Sequence, residues 1–230
     1  FYSQFKSDED NFFFSPYSIS TAMAMVYEGA KGKTAKEIQS VFYFQKEPEL
    51  MRKEYLQLFS QLNKTKSKFK LQIANALWAE QEYKFLDAYF KRIEKYYRGK
   101  ATNLDFKIDA ESSRVTINDW VEGQTNNKII DLVPPDGINY LTRLVITNAV
   151  YFKGKWVKQF NVDYTRDEEF RVNSKNIIKV PMMRRTDEDA IFRYARNGIL
   201  QILEMPYSGE ELSMLIILPQ NENMKNLERG

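Results

Sequence analysis

The run Leu144-Val145-Ile146-Thr147-Asn148-Ala149-Val150-Tyr151-Phe152 restricts the fold more than any other stretch. It is strand-length, rich in β-branched and aromatic residues, and apolar on both faces of an alternating strand. Such a strand needs cover on both sides, which predicts a central place in a sheet. Asn148 interrupts the apolar run. A buried amide costs ~1–3 kcal/mol when unpaired, so something must hydrogen-bond it. Local sequence leaves two readings open: a satisfied core amide, or a polar centre with a function.

The preceding chain reads mainly as helices. Ser15-Pro16 is an N-cap followed by proline at the first helical position, with Ile19, Met23, Val26 and Tyr27 on one face and Gly29 and Gly32 at the end. Thr34 and Glu37 have the spacing of a capping box for a short helix to about Phe44. Pro48 to Leu62 follows as a helix with Met51, Tyr55, Leu58, Phe59 and Leu62 as its stripe. Phe69, Leu71 and Ile73 alternate with Lys70 and Gln72, a strand signal that turns apolar on both faces through Trp78. Leu86, Tyr89, Phe90, Ile93 and Tyr97 mark another amphipathic helix, ended by Gly99. A further one runs from Asp109 to about Gln124 with Val115, Ile117, Trp120 and Val121. After the turn Pro134-Pro135-Asp136-Gly137 and the long strand, the pattern from about Phe170 is β: Phe170–Val172, Ile177–Met183, Ile199–Met205 and Leu212–Leu218. Helices dominate one half and strands the other, with no linker between them, which predicts an α+β fold.

Composition narrows function. The 230 residues are 43% hydrophobic, enough for a substantial core. Basic and acidic residues number 34 and 31, and the net +3 gives no drive toward nucleic acid. No apolar run approaches the ~20 residues of a membrane span; the longest, Met214 to Leu218, is strand-sized. There is no Cys and no His, which excludes disulfides, thiolate or imidazole metal sites, and Ser-His-Asp catalysis. No cofactor or metal is expected, and no motif supports an enzyme built on a Ser-Lys pair or paired carboxylates. The opening Phe1-Tyr2-Ser3-Gln4 carries no signal-peptide pattern and reads as the middle of an element, so an upstream segment is expected.

Two separated motifs, Asn11-Phe12-Phe13-Phe14-Ser15-Pro16-Tyr17-Ser18-Ile19-Ser20 and Asn148-Ala149-Val150-Tyr151-Phe152-Lys153-Gly154-Lys155-Trp156, together resemble the serpin family of serine protease inhibitors. Supporting matches span the chain: Glu28-Gly29-Ala30-Lys31-Gly32-Lys33-Thr34, Ala74-Asn75-Ala76-Leu77-Trp78, Ile117-Asn118-Asp119-Trp120-Val121, Val180-Pro181-Met182-Met183 and Leu203-Glu204-Met205-Pro206-Tyr207. The resemblance implies helices packed on a large central mixed β-sheet with smaller sheets, and residues 1–230 as part of a single serpin domain. It implies that Ser15, Ser18 and Asn148 lie at the shutter, where the sheet parts to admit a new strand. Trp156 would sit at the breach where the reactive loop enters, and Trp120 on a helix lying across the sheet. The family's shutter also uses a histidine further along, at a position expected beyond Gly230.

Serpins run well over a hundred residues longer, with the reactive loop near their C-terminus. The resemblance therefore implies that the reactive bond is absent from this sequence. It also implies a partner in the remaining C-terminal serpin segment, carried by a longer polypeptide or another chain. The expected activity is suicide-substrate inhibition of a serine or cysteine protease, with an extracellular, secreted location. The alternative is a non-inhibitory serpin acting as a carrier, storage or chaperone-like binding protein. Lys64, Lys66, Lys68 and Lys70 lie near where some vertebrate serpins bind heparin and are candidate polyanion ligands, although a solvated loop face is the favoured reading, since Lys tolerates exposure and blunts edges. Asn63-Lys64-Thr65 is a glycosylation sequon.

Overall fold

The computed structural model describes residues 2–5, 11–63, 68–173 and 176–219. It forms two compact units, one of Phe1–Thr65 with Leu71–Phe152 and one of Lys66–Lys70 with Lys153–Gly230.

Among the described residues the first unit holds the helices α1 (Tyr2–Phe5), α2 (Pro16–Gly29), α3 (Gly32–Phe42), α4 (Pro48–Leu62), α5 (Asp87–Tyr97) and α6 (Ala110–Gln124). Its three strands are β1 (Lys70–Glu80), β2 (Lys100–Leu104) and β3 (Leu144–Lys153), in the sheet order β2-β1-β3. β1 and β2 are parallel, with Ala76 opposite Lys100 and Glu80 opposite Leu104. β3 runs against β1: the Glu80 amide meets the Arg143 carbonyl at one end and Asn75 meets Asn148 further along. The sheet is therefore mixed.

β1 is the centre of this unit. All residues from Ile73 to Glu80 are buried, and their alternation divides them between two cores. Leu77 and Ala79 face Ala24 and Met25 of α2, Met51 of α4, and Tyr89, Ile93 and Tyr97 of α5, with Leu144 and Ile146 of β3 beside them. Ala76 and Trp78 face the opposite way, toward Phe106, Ile117 and Ile138, with Trp120 of α6 and Val145 of β3 alongside. Each face of the sheet is thus covered by helices, as a two-sided apolar strand requires. The long strand predicted to be central is β3, but among the described residues β3 is an edge strand and β1 holds the middle. The reason lies in burial: only Thr147 and Ala149 of β3 are fully buried, and Phe152 is open to solvent.

Helix ends follow local chemistry. Ser15 caps α2, its Oγ accepting from the Ser18 amide at 3.2 Å, and Pro16 takes the first position. Asp109 caps α6 in the same way, accepting from the Ser112 amide at 3.1 Å. The capping box expected at Thr34 and Glu37 is not formed: α3 starts at Gly32, which places Thr34 inside the first turn. On α2 the deepest face is Thr21, Ala24, Met25 and Glu28 rather than the predicted stripe, whose members are half-buried. Thr21 and Ala24 are small enough for the helix to approach its neighbours closely. On α6, Val115 is exposed while Ile117 and Val121 are buried.

The second unit is β-rich. β4 (Arg166–Asn173) pairs with β5 (Asn176–Met182) as an antiparallel ribbon. β6 (Arg193–Arg196), β7 (Leu200–Pro206) and β8 (Ser213–Pro219) form an antiparallel sheet in that order. β6, a strand whose four residues are all exposed, carries no apolar alternation and was not legible in the sequence. β8 shows that an apolar run is not by itself a buried one: Met214, Leu215, Ile216, Ile217 and Leu218 are all exposed.

Leu77→Ala should remove a fully buried side chain from the face where α2 and α5 meet the sheet. A cost of about 2–5 kcal/mol is expected, read as a lower urea midpoint of the full-length polypeptide with an unchanged slope.

Candidate functional site

The alternation that sorts the two cores also sorts the polar groups. Asn75 and Asn148 lie on the same face as Leu77 and Ile146, while Thr147 faces α6 and accepts a 3.0 Å hydrogen bond from Trp78 Nε1. Asn148 Nδ2 donates to Asn75 Oδ1 at 2.6 Å, and Asn75 Nδ2 donates to the Tyr97 carbonyl at 2.8 Å. One amide chain therefore joins β3, β1 and the end of α5. Asn75 is almost wholly buried, and an amide inside a two-sided apolar strand is the sequence signal for it.

Ser15, Ser18 and Asn148 do not form one hydrogen-bonded cluster among the described residues. The Ser15 hydroxyl is committed to capping α2. The Ser18 hydroxyl and the Asn148 carbonyl oxygen are both buried without a hydrogen-bond partner. Each such atom is costly in a folded core, and on β3 the open one belongs to Asn148. Ser20, one turn along α2, shares a 2.6 Å hydrogen bond with the Tyr55 hydroxyl.

Trp120 of α6 meets Trp78 edge-on at 5.5 Å and 79°, so the helix lies on the sheet through an aromatic contact. In the second unit, Trp156 stacks on Tyr207 at 4.3 Å and 18°. The backbone reinforces that anchor: Val157 donates to the Pro206 carbonyl at 3.0 Å, and Ser208 donates to the Lys155 carbonyl at 2.7 Å. Lys64 and Lys66 lie outside the described residues. Lys68 and Lys70 are exposed, and the Lys68 stem runs beside Gly209, whose φ of +101° suits glycine. Asn63 is engaged in structure: its Nδ2 donates to the Phe59 carbonyl at 3.1 Å and its Oδ1 accepts from the Ile73 amide at 3.2 Å.

Sequence reasoning missed a buried charge cluster. Glu28, on the deepest face of α2, receives both Arg52 Nε and Nη2 at 2.8 Å, one to each carboxylate oxygen. Arg92 Nε stands 3.0 Å from Oε2, and the Tyr97 hydroxyl donates to Oε1 at 3.1 Å. One carboxylate thereby ties α2 to α4 and α5. Burial first, and then the Glu28 charge, push the Tyr97 hydroxyl far above its ordinary range and Tyr89 up to about 12. The signal was a glutamate three residues after Met25 on an otherwise small and apolar face.

The serpin family profile, described as Serpin (serine protease inhibitor), matches residues 1–230. A serpin-like protein of Methanosarcina acetivorans is 42% identical over 221 residues, which cover 96% of this chain and 51% of that protein. Human Serpin B3 is 37% identical over 241 residues, covering 97% of this chain and 61% of its own. Among solved structures, cleaved Serpin 42Da superposes with a TM-score of 0.88 at 32% identity, over 99% of this chain and 61% of that one. Emu ovalbumin also gives 0.88, at 30% identity, with 98% and 61% covered. The chain belongs to the serpin family and has the serpin α+β fold. It spans about half of the archaeal relative and about three-fifths of the others named here.

Glu28→Gln should destabilise the full-length protein by about 3–5 kcal/mol in urea, because two guanidiniums would then face an uncharged amide. Replacing the cluster as a whole, Glu28→Leu with Arg52→Met and Arg92→Met, should recover most of that loss. Stability should also fall at alkaline pH. The folded state holds the Tyr89 proton more tightly than the unfolded chain, whose tyrosine titrates near 10.0, so this contribution is complete below that pH and is lost as pH rises through about 12. Melting temperatures should be flat up to about pH 9 and drop steeply across that window, less steeply in Tyr89→Phe.

Proposed function

We propose that this sequence is part of a single serpin domain whose full-length polypeptide inhibits a serine or cysteine protease as a suicide substrate. A relative named leukocyte elastase inhibitor, from Xenopus tropicalis, is 40% identical over 214 residues, covering 93% of this chain and 56% of that protein. The observation that carries the reading is the polar centre on β3. This strand is at the sheet edge among the described residues, and Asn148, half-buried with its carbonyl oxygen unpaired, sits on it.

In this reading the protease nucleophile attacks the scissile carbonyl of the reactive loop, forming an acyl-enzyme and releasing a new amino terminus on the loop's other side. The freed loop then inserts beside β3 as an added strand, carrying the acylated protease with it. Asn75 anchors the Asn148 amide on β3, beside the edge at which the loop would enter, and Ser15 and Ser18 of the α2 start complete the proposed shutter. Trp120 rides on the helix that must yield, and Trp156 marks the entry point. The exposed apolar side chains of β8 support the remaining C-terminal serpin segment as a structural partner. An extracellular place of action, and a polyanion-binding role for Lys68 and Lys70, belong to the proposal through family resemblance alone.

The test is a melting curve of the full-length protein before and after nicking of its reactive loop by a non-target protease. An inserted strand adds a ladder of hydrogen bonds, each worth ~0.5–1.5 kcal/mol net, plus apolar burial, so the nicked form should gain several kcal/mol. Asn148→Ala should reach the stable form faster on mild heating. A nicked protein that melts no higher than the intact one would replace inhibition with a carrier, storage or chaperone-like binding role.

A further inference from the structure

Where α2 ends, the chain leaves through Gly29, Ala30 and Lys31 and enters α3 at Gly32 with a left-handed φ of +57°. Facing this bend is the turn from β1 into α5, held by hydrogen bonds from the Tyr83 amide to the Glu80 carbonyl at 3.1 Å and from the Phe85 amide to the Tyr83 carbonyl at 3.0 Å. Between the two bends lies a cleft of about 430 Å³. That is the size of a small-molecule site rather than of a packing defect.

Its lining is of two kinds. Phe85, Tyr89, Val26 and Leu144 make the apolar part. The aromatic rings among them are mutually braced: Phe85 lies 4.9 Å from Tyr83 and 6.4 Å from Tyr89, the second pair close to parallel at 25°. Tyr89 is fixed by its own hydroxyl, which donates to the Met25 carbonyl at 3.1 Å. The charged part is cationic. Lys31, Lys84 and Arg92 line the cleft against a single carboxylate, Glu28, an excess of two positive charges.

Glu28 is not available to neutralise the lysines, because Arg52, Arg92 and the Tyr97 hydroxyl already occupy both its oxygens. Lys31 and Lys84 are exposed and have no acidic partner among the described residues. The first turn of α3 also borders the cleft, with neither a side-chain cap nor an acidic residue, so its amide end adds to the positive field, whereas α5 carries Asp87 in its first turn.

We propose that this cleft binds a small aromatic carboxylate, its ring against Phe85 and Tyr89 and its carboxylate between Lys31 and Lys84. An aromatic acid is favoured over an aliphatic one because the apolar part is built from braced, flat rings that stack on a planar ligand. An anion is favoured over a neutral ligand because two lysines without an acidic partner line a cleft whose one lining carboxylate is saturated. The site is separate from the polar centre of β3 and does not depend on protease inhibition.

Isothermal titration calorimetry of the full-length protein with 2-naphthoate tests the assignment. The parent should bind with a sub-millimolar Kd, at least tenfold tighter than 2-naphthalenemethanol and tighter than octanoate. Lys31→Glu with Lys84→Glu should weaken 2-naphthoate tenfold or more. These two side chains are exposed and cap nothing, so circular dichroism should be unchanged. Lys36→Glu, on the same helix and outside the cleft, should bind as the parent does. Equal affinity for the acid and the alcohol, or an unchanged Kd in the double variant, overturns the charge assignment. Octanoate binding more tightly than 2-naphthoate overturns the aromatic one, and no heat at millimolar ligand overturns the site.

Discussion

The two-sided burial of β1 is the constraint on which the first unit depends. Eight consecutive residues are out of solvent, and alternation alone assigns them to separate cores. Leu77 and Ala79 draw α2, α4 and α5 to one face, while Ala76 and Trp78 draw α6 to the other. A shift of one residue in register would exchange the two cores and set Asn75 among the wrong partners. The polar chain from Asn148 through Asn75 to the Tyr97 carbonyl therefore also fixes register, since it closes only in the observed alignment.

Against that background, the polar features of the fold divide into satisfied and unsatisfied groups. The Glu28 cluster is saturated, with two guanidiniums and a phenol on one carboxylate, and it locks three helices together. Asn118 is likewise complete, accepting from the Val133 amide at 2.9 Å and donating to its carbonyl at 3.0 Å, and it pins the loop that follows α6. The Ser18 hydroxyl and the Asn148 carbonyl oxygen remain open. Each such open atom is a place where a new partner would gain a hydrogen bond, and the Arg185 Nε is another.

The second unit follows a different logic. β7 is half-buried and β8 exposed, although β8 carries five consecutive apolar side chains. The order here comes from backbone pairing in the β6-β7-β8 sheet and from the Trp156–Tyr207 stack. Trp156 thus has an anchoring role, stacked on Tyr207 just past the end of β7.

Local chemistry in the sequence determined the element types and many boundaries. The N-cap at Ser15, the helix start near Asp109, the proline at the start of α4, and the alternating and two-sided apolar runs were legible because each acts over a few neighbouring residues. The family was legible from motifs spread along the chain, and with it the fold. Tertiary structure alone decided the rest. It put β1 rather than β3 in the middle of the sheet, because placement depends on which helices cover each face and not on one strand's composition. It paired Asn148 with Asn75, 73 positions away, and gathered Arg52, Arg92 and Tyr97 on Glu28. Hydrogen bonds and ion pairs between residues so distant in sequence leave no periodicity or spacing to read, and only the packed chain brings them within reach.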